Sequence, residues 1–205
     1  TVISFDVGYK KIINRLRYYV AKFIIYFICQ KRPCSLSLFN SRFPGLLNVE
    51  SKNLIVHLHW VQGEMLSIYD ISKIKQQVVW SFHDIWPING VEHLPTNKAL
   101  VECGAKISLY KIIDDLVRRV KARFLNTSMV VVCPSCWLAN EVRKADISKK
   151  WTIEVIPNPI DTKFWRPLDG ISVCSTVKRI EGEINIAFGS FGDGGFNKGY
   201  DLLRS

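Results

Sequence analysis

Acidic residues are absent from a long stretch near the start of the chain. From Val7 to Val49 there is no Asp or Glu, whereas eight Lys and Arg residues fall inside it. These eight cations supply most of the formal net charge of +10, so the remainder of the 205-residue chain is close to neutral. The excess charge therefore belongs to one surface segment. This argues against a nucleic-acid-binding protein with a basic field over its whole surface.

The chain also lacks a hydrophobic run long enough to cross a bilayer. Its longest apolar stretch, residues 18–29, contains Lys22 and is too short to span. No signal peptide is visible, and because the first residue is Thr1 and not Met, we expect the natural start to lie upstream. We expect a cytoplasmic protein, peripheral on the inner face of the cytoplasmic membrane if it contacts a membrane at all.

A complete cysteine-based metal motif is missing as well. Among the six cysteines, Cys133 and Cys136 form the only Cys-x-x-Cys pair, with no second pair and no Cys-x-x-His beside it. This pattern disfavours a zinc or redox site. Reduced thiols, with Cys133 at the end of an apolar strand, are the simpler interpretation.

What the chain does contain is an alternation of short apolar runs and amphipathic segments. The runs predict strands at 53–58, 77–82, 128–133 and 152–156, and helical periodicity appears near 10–29, 108–124 and 135–145. Ser67 and Asp70 form a capping-box pattern, and Ser135 is placed to cap the helix that follows it. Continuous apolar strands separated by helices are typical of a parallel sheet covered on both faces. The predicted class is therefore α/β, with a Rossmann-like doubly wound parallel sheet.

The domain organisation is predicted from where this pattern stops. After the turn at residues 157–159 the chain becomes irregular, and a new apolar strand, residues 184–188, is followed by a glycine-rich stretch and the start of a helix. We expect a first domain over 1–160, a linker over 161–183 and the beginning of a second Rossmann-like domain over 184–205.

The helix near 10–29 carries apolar residues at helical spacing with cations on its flanks. It fits a surface helix that packs on its own domain. It equally fits an interfacial helix on anionic lipid, where each Lys or Arg adds about 1 kcal/mol.

Candidate ligand-binding residues follow from the rule that open parallel sheets bind ligands beyond the carboxyl ends of their strands. Polar or aromatic side chains stand at all four predicted strand ends: His59 and Trp60, then His83 and Asp84, then Ser135, and finally Asn158. A histidine at such an exit can move a proton near neutral pH or hydrogen-bond a hydroxyl. His57 is interpreted instead as a buried structural histidine.

The loops after the first two strands add further candidates. Trp60 and Trp86 adjoin the exits and could stack on a sugar ring, although large aromatics more often pack in a core. Glu64 is an acidic candidate in the first loop, with a solvated loop residue as the alternative.

The second strand-loop-helix unit offers a phosphate site. Gly189 opens a glycine-rich loop that ends in Lys198 and Gly199 at the start of a helix. Glycines allow backbone N–H groups to approach an anion, and Lys198 would supply countercharge. The spacing fits neither standard glycine-rich phosphate motif, and a flexible surface loop is the alternative.

These residues lie in segments that resemble glycosyltransferase family 4, and within it the colanic-acid-type exopolysaccharide transferases. The segments are VHLHWVQGEMLSIYDISKIKQQVVWSFHDIWPINGVEHLP, VVCPSCWLANEVRKADI, VIPNPIDTKFWRP and INIAFGSFGDGGFNKGYDLL, in the family order. They cover most of residues 53–204.

The resemblance implies a retaining GT-B enzyme that needs no metal or other cofactor. A lipid-linked or oligosaccharide acceptor would bind mainly to the first domain and a nucleotide-diphosphate sugar to the second. His83 matches the active-site histidine, His59, Gly63 and Glu64 match the neighbouring strand end and loop, and Lys198 matches the lysine that contacts the donor diphosphate. No basic partner precedes Lys198 between Gly189 and Asn197, and the family's glutamate pair does not occur, so we expect these 205 residues alone to be inactive.

Two other functions remain open from the residues alone. His59, His83 and His93 could form the ligand set of a metal-dependent hydrolase. The chain could also be an inactive remnant that binds only an acceptor or a membrane.

Overall fold

The computed structural model describes residues 9–29, 33–41, 54–94 and 106–167, together with residues 184, 188, 189, 199 and 202. The chain divides into two compact units, Thr1–Asn158 and Pro159–Ser205. In chain order the regular elements are α1 (Tyr9–Cys29), β1 (Ile55–His59), α2 (Ile68–Ser72), β2 (Gln77–Ser81), a 3-10 helix (Trp86–Ile88), α3 (Lys106–Phe124), β3 (Met129–Cys133), α4 (Cys136–Lys144), a second 3-10 helix (Asp146–Lys150) and β4 (Trp151–Val155).

The four strands form one parallel sheet in the order β1-β2-β3-β4. His59 is paired with Ser81 at the end of β1, and Cys133 with Val155 at the end of β3. All strand ends therefore meet at one rim. The predicted α/β, Rossmann-like class is confirmed.

The strand order decides which face of the sheet is covered. Each strand lies beside the one that precedes it in the chain, so every connection steps across the sheet in the same direction. Because such connections between parallel strands are right-handed, their helices all lie on the same face of the sheet. On the other face of β1, Ile55, His57 and His59 are exposed. Among the described residues, this corner of the sheet is open to solvent.

The core fills the space between the helix-covered face and the helices. Trp80 of β2 and Phe82, which follows β2 directly, are buried and pack edge to face, and Phe82 makes the same contact with Trp151 of β4. The Trp151 indole N–H donates to the Leu125 carbonyl at 3.2 Å. Each fully buried apolar side chain contributes about 2 to 3 kcal/mol, so this aromatic row anchors the sheet to the end of α3.

Both predicted helix caps are present. The Ser67 hydroxyl accepts from Asp70 N–H at 3.0 Å, and the Asp70 carboxylate accepts from Ser67 N–H at 2.9 Å, which completes the capping box. The same carboxylate accepts from the N–H of Ser41 at 2.8 Å, so it also fastens segment 33–41 to α2. The Ser135 hydroxyl accepts from Leu138 N–H at 3.2 Å at the start of α4.

Helix α1 has two apolar faces, where the sequence pattern had indicated one. One face, which includes Ala21 and Ile28, is buried. The opposite face remains exposed along its length, at Ile12, Leu16, Tyr19, Phe23, Tyr26 and Phe27. Among the described residues, no helix combines the length and the apolar character needed to span a membrane.

The second unit is described at residues 159–167 and at five single positions. In the first of these stretches, the Asp161 carboxylate accepts from Lys163 N–H at 2.9 Å. Most of the predicted linker, most of the predicted strand 184–188 and Lys198 lie outside the described residues. The predicted domain limits at 160 and 183 stay predictions.

Candidate functional site

Two imidazoles meet where β1 and β2 end. The Nδ1 atom of His59 lies 3.2 Å from Nε2 of His83, and both rings are exposed. In this contact one nitrogen donates and the other accepts, so a single hydrogen bond joins the two rings. The sequence prediction that the two rings reach a common rim is confirmed by this contact.

His57 continues this row along β1. Its ring centroid lies 4.1 Å from that of His59, and its Nε2 atom lies 2.9 Å from the Ser81 hydroxyl oxygen. Partial desolvation, and then the neighbouring His59, lower the pKa of His57. The prediction of a buried histidine was wrong because this face of β1 is open.

Asp84 does not face the rim with the imidazoles. Its carboxylate accepts from His93 Nδ1 at 2.6 Å and from Trp86 N–H at 2.9 Å. The side chain is only 11% exposed. The Asp84 oxygens thus hold the following turn in this structure, and a catalytic role for Asp84 stays a prediction.

The two predicted stacking tryptophans have opposite environments. Trp60 is 53% exposed directly after β1, with a backbone φ of 44°. Trp86 is fully buried, and its indole N–H donates to the Ser35 carbonyl at 2.8 Å. Trp86 cannot present its ring to a sugar, so its predicted binding role was wrong.

Gly63 and Glu64 form a tight turn in the loop after β1. Both have positive φ, 67° for Gly63 and 65° for Glu64, a region that favours glycine. The Gly63 N–H donates to the Ser35 hydroxyl at 3.2 Å. Gly63 is exposed, and its role toward a substrate stays a prediction.

The side chain of Glu64 is directed into the protein. Its carboxylate accepts from Ser37 N–H at 2.5 Å, and its carbonyl accepts from Arg17 at 3.2 Å. Burial raises the pKa of Glu64, while the Ser37 N–H and the Arg17 guanidinium oppose that rise. Glu64 ties α1 and segment 33–41 to the loop, so its predicted substrate contact was wrong.

The remaining predicted site residues are described less completely. The Ser135 hydroxyl is engaged as the helix cap, and Asn158 is exposed just after β4. In the second unit, Gly199 has a φ of 71°, and a Cβ built on Gly189 would meet no atom within 4 Å. Gly189 leaves room for a close backbone approach, and the phosphate site with Lys198 stays a prediction.

Two buried residues that sequence reasoning missed, Ser35 and Lys121, support the rim together with His93. The Ser35 hydroxyl contacts His93 Nε2 at 2.8 Å, so both nitrogens of His93 are engaged. Lys121 of α3 is fully buried, and its ammonium donates to the carbonyls of Trp86, Asn89 and Gly90. The periodicity of α3 gave no signal for Lys121, because a lysine on a basic helix normally faces solvent.

The geometry does not provide the ligand set of a hydrolase. His93 is occupied by Asp84 and Ser35, and His59 contacts His83 directly. Within the part of the chain that the structure describes, no three His, Cys, Asp or Glu side chains are grouped to hold a metal ion. Burial raises the pKa of Cys133 to about 11, which favours its thiol form.

A cavity of about 390 Å³ lies elsewhere in the first unit, between the loop after β2 and the ends of α3 and α4. Its lining includes Asn89, Arg118 and Lys144 but none of the histidines. The candidate site is therefore identified by the position of His59 and His83 at the strand ends, and not by this cavity.

A known protein family matches a large part of the chain. The profile of Glycosyltransferase Family 4 matches residues 3–164, which include all four strands and every imidazole of the rim. No curated protein and no solved structure matches the chain. The match extends over well more than half of the 205 residues. The chain belongs to glycosyltransferase family 4.

Proposed function

We propose that this protein transfers a sugar from a nucleotide-diphosphate sugar to a lipid-linked or saccharide acceptor, in the synthesis of an exopolysaccharide of the colanic-acid type. Transfer would retain the anomeric configuration and need no metal. The observation that carries the proposal is the exposed His59–His83 pair at adjacent strand exits of a family 4 chain.

The chemistry of this pair suits a sugar. His59 uses Nδ1 and His83 uses Nε2 in their mutual contact, and the second nitrogen of each ring has no partner among the described residues. These two nitrogens can hydrogen-bond sugar hydroxyls and orient a sugar beside the acceptor. Correct orientation and charge stabilisation of an oxocarbenium-like state would supply most of the rate enhancement.

The donor diphosphate would bind to the second unit. The support comes from Gly189, where a Cβ would meet no atom within 4 Å, and from Gly199, whose φ of 71° lies in the region that favours glycine. Lys198 would neutralise the leaving diphosphate.

The test compares two histidine variants in the protein expressed from its complete coding sequence. Nucleotide sugars are screened by release of nucleoside diphosphate, with and without EDTA, and the product anomer is read by NMR. We expect His83→Ala to lower turnover about 100-fold or more, as for loss of one transition-state hydrogen bond. His57→Ala is the matched control, because His57 is exposed on the same face but bonds to Ser81.

Three results would count against the proposal. Unchanged turnover in a folded His83→Ala protein would remove the imidazole from the mechanism. Turnover lost in EDTA and restored by zinc or manganese would favour metal chemistry. An inverted product would contradict retention.

We also infer that the acceptor is membrane-borne and that α1 docks on an anionic bilayer, at the inner face of the cytoplasmic membrane. The exposed apolar face of α1 runs from Ile12 to Phe27, about 22 Å at 1.5 Å per residue. Phe23 and Tyr26 are 66% and 77% exposed. Arg15 and Lys22 flank this face, and α1 contains no acidic residue.

Charge favours lipid over a second copy of this chain. The same face on another copy would bring the same cations together, whereas an anionic surface attracts each of them by about 1 kcal/mol. Co-sedimentation with phosphatidylglycerol vesicles should therefore exceed that with phosphatidylcholine vesicles. Phe23→Ser combined with Phe27→Ser should reduce it at least tenfold, and Ile160→Ser, an exposed apolar residue outside α1, should not. Equal binding by all three proteins, or a dimer that forms through α1 without vesicles, would contradict this inference.

A further inference from the structure

Trp60 is held in an unusual position for a large residue. Its indole is half-exposed beside His59, and its φ of 44° lies in the left-handed region. That conformation costs a non-glycine residue about 1 to 2 kcal/mol. Strain combined with exposure of an aromatic ring is the pattern expected where a side chain has a task at the surface.

The ring of His93 packs against this indole. The two ring centroids are 5.8 Å apart and the planes differ by 24°. His93 is only 7% exposed. It also stacks on buried Trp86, at 6.4 Å and 23°. One imidazole therefore connects an exposed indole to an indole in the core.

Hydrogen bonds fix the orientation of the His93 ring. A carboxylate only accepts, so Nδ1 donates to Asp84 at 2.6 Å. At the other side, Nε2 meets the Ser35 hydroxyl at 2.8 Å, and that hydroxyl accepts from Gly63 N–H. With both nitrogens engaged, the ring cannot rotate without breaking a buried hydrogen bond.

The base of the stack is fixed as well. Trp86 donates its indole N–H to the Ser35 carbonyl, and the Lys121 ammonium lies 3.6 Å from the Trp86 ring centroid. The order from core to surface is thus Lys121, Trp86, His93 and Trp60. Exposed Trp137 of α4 differs, since it shows no ring contact among the described residues.

We propose that His93 is a positioning residue that holds the Trp60 indole as a stacking surface for one pyranose ring of the saccharide acceptor. A pyranose has a face of C–H groups that packs on an aromatic ring, and Trp60 follows directly after His59 of the imidazole pair. The assignment rests on the proposed sugar transfer. Trp60 would contact the acceptor, and His93 would act on acceptor binding only by holding the Trp60 indole.

The kinetic test separates acceptor binding from the chemical step. In the protein expressed from its complete coding sequence, Trp60→Ala should raise the acceptor KM at least tenfold with the donor KM within twofold, and Trp60→Phe should recover most of the loss. His93→Asn, whose amide nitrogen stands about where Nδ1 does and can still donate to Asp84, should raise the acceptor KM less than His93→Ala does. Trp137→Ala is the control for loss of an exposed indole and should leave the acceptor KM within twofold.

A double-mutant cycle distinguishes positioning from a merely structural role. In the Trp60→Ala background, His93→Ala should change the acceptor KM no further, because the indole that His93 positions is gone. If the double variant raises the acceptor KM by the product of the two single effects, the proposal is overturned. It is also overturned if Trp60→Ala leaves the acceptor KM within twofold of wild type. If His93→Ala does not fold, Ser35→Ala tests the same restraint by removing one of the two hydrogen bonds.

A binding measurement covers the case in which no nucleotide sugar is turned over. Cello- and malto-oligosaccharides are then titrated into wild type and Trp60→Ala and followed by NMR. Binding that weakens at least tenfold in the variant supports the stacking surface even though the proposed transfer has failed. Binding that is equal in both proteins, or absent from wild type, overturns the stacking surface.

Discussion

Replacement of Lys121 by methionine tests whether the turn after β2 is held from inside the protein. The Lys121 ammonium donates to Asn89 O at 3.0 Å and to Gly90 O at 2.7 Å, and it also contacts Trp86 O. Burial lowers the pKa of Lys121 well below its usual value, whereas three carbonyl acceptors favour the ammonium, which alone has three N–H donors. Methionine keeps most of the volume and removes every donor.

The magnitude follows from these contacts. Three buried carbonyls without a donor cost about 1 to 3 kcal/mol each. Removal of a buried ammonium returns several kcal/mol of its desolvation, so we expect a net loss of about 3 kcal/mol. For a protein of this size, such a loss lowers the Tm by roughly 6 to 12 °C.

Urea unfolding and thermal melts, followed by circular dichroism, measure the effect. Lys111→Met on the same helix is the control, because Lys111 is exposed and should change stability by about 0.5 kcal/mol at most. If Lys121→Met is no more destabilising than this control, the ammonium does not hold the turn and the reasoning fails.

Three further predictions concern other contacts. Gly90→Ala should destabilise the protein by about 2 kcal/mol in urea unfolding, because the new Cβ would lie 1.7 Å from the Asp114 carboxylate. Gly189→Ala is the control, because its Cβ would meet no atom within 4 Å. Equal effects of the two substitutions would contradict this prediction. Ser135→Ala should cost about 1 kcal/mol through the lost helix cap, and an unchanged Tm would argue against it. Burial raises the pKa of Glu64, so its contribution to stability is complete below the ordinary value of 4.5 and is lost as the pH rises through the folded-state pKa. Glu64→Gln should remove that part of the pH dependence in melts between pH 4 and 8, and an unaltered profile would refute the assignment.

The strands were predictable because each coincides with a short apolar run, even though one face of β1 is exposed. All four were located to within two residues at either end, and both serine caps were recognised. A cap depends on side chains three residues apart, so local sequence contains it. The contact between His59 and His83 also followed, because parallel strand ends must meet at one rim.

The supporting residues could not be predicted because their partners are distant in the chain. Ser35 and His93 are 58 residues apart, and Lys121 and Trp86 are 35 apart. Whether Trp86 or Trp60 would be the exposed indole depended on how the turn after β2 folds back onto α3. The burial of Glu64 depended likewise on segment 33–41, which offers the Ser37 N–H.

The pairing register of β1 with β2 has a consequence for mutational tolerance. His59 stands opposite Ser81, and side chains alternate between the two faces of a strand. A slip of β1 by one residue against β2 would turn both of its imidazoles toward the helices and bring Leu58 to solvent. Insertions in the loop after β1 would leave that alternation intact. Variation among natural relatives should accordingly accumulate in the loop lengths, while the spacing from Ile55 to His59 stays constant.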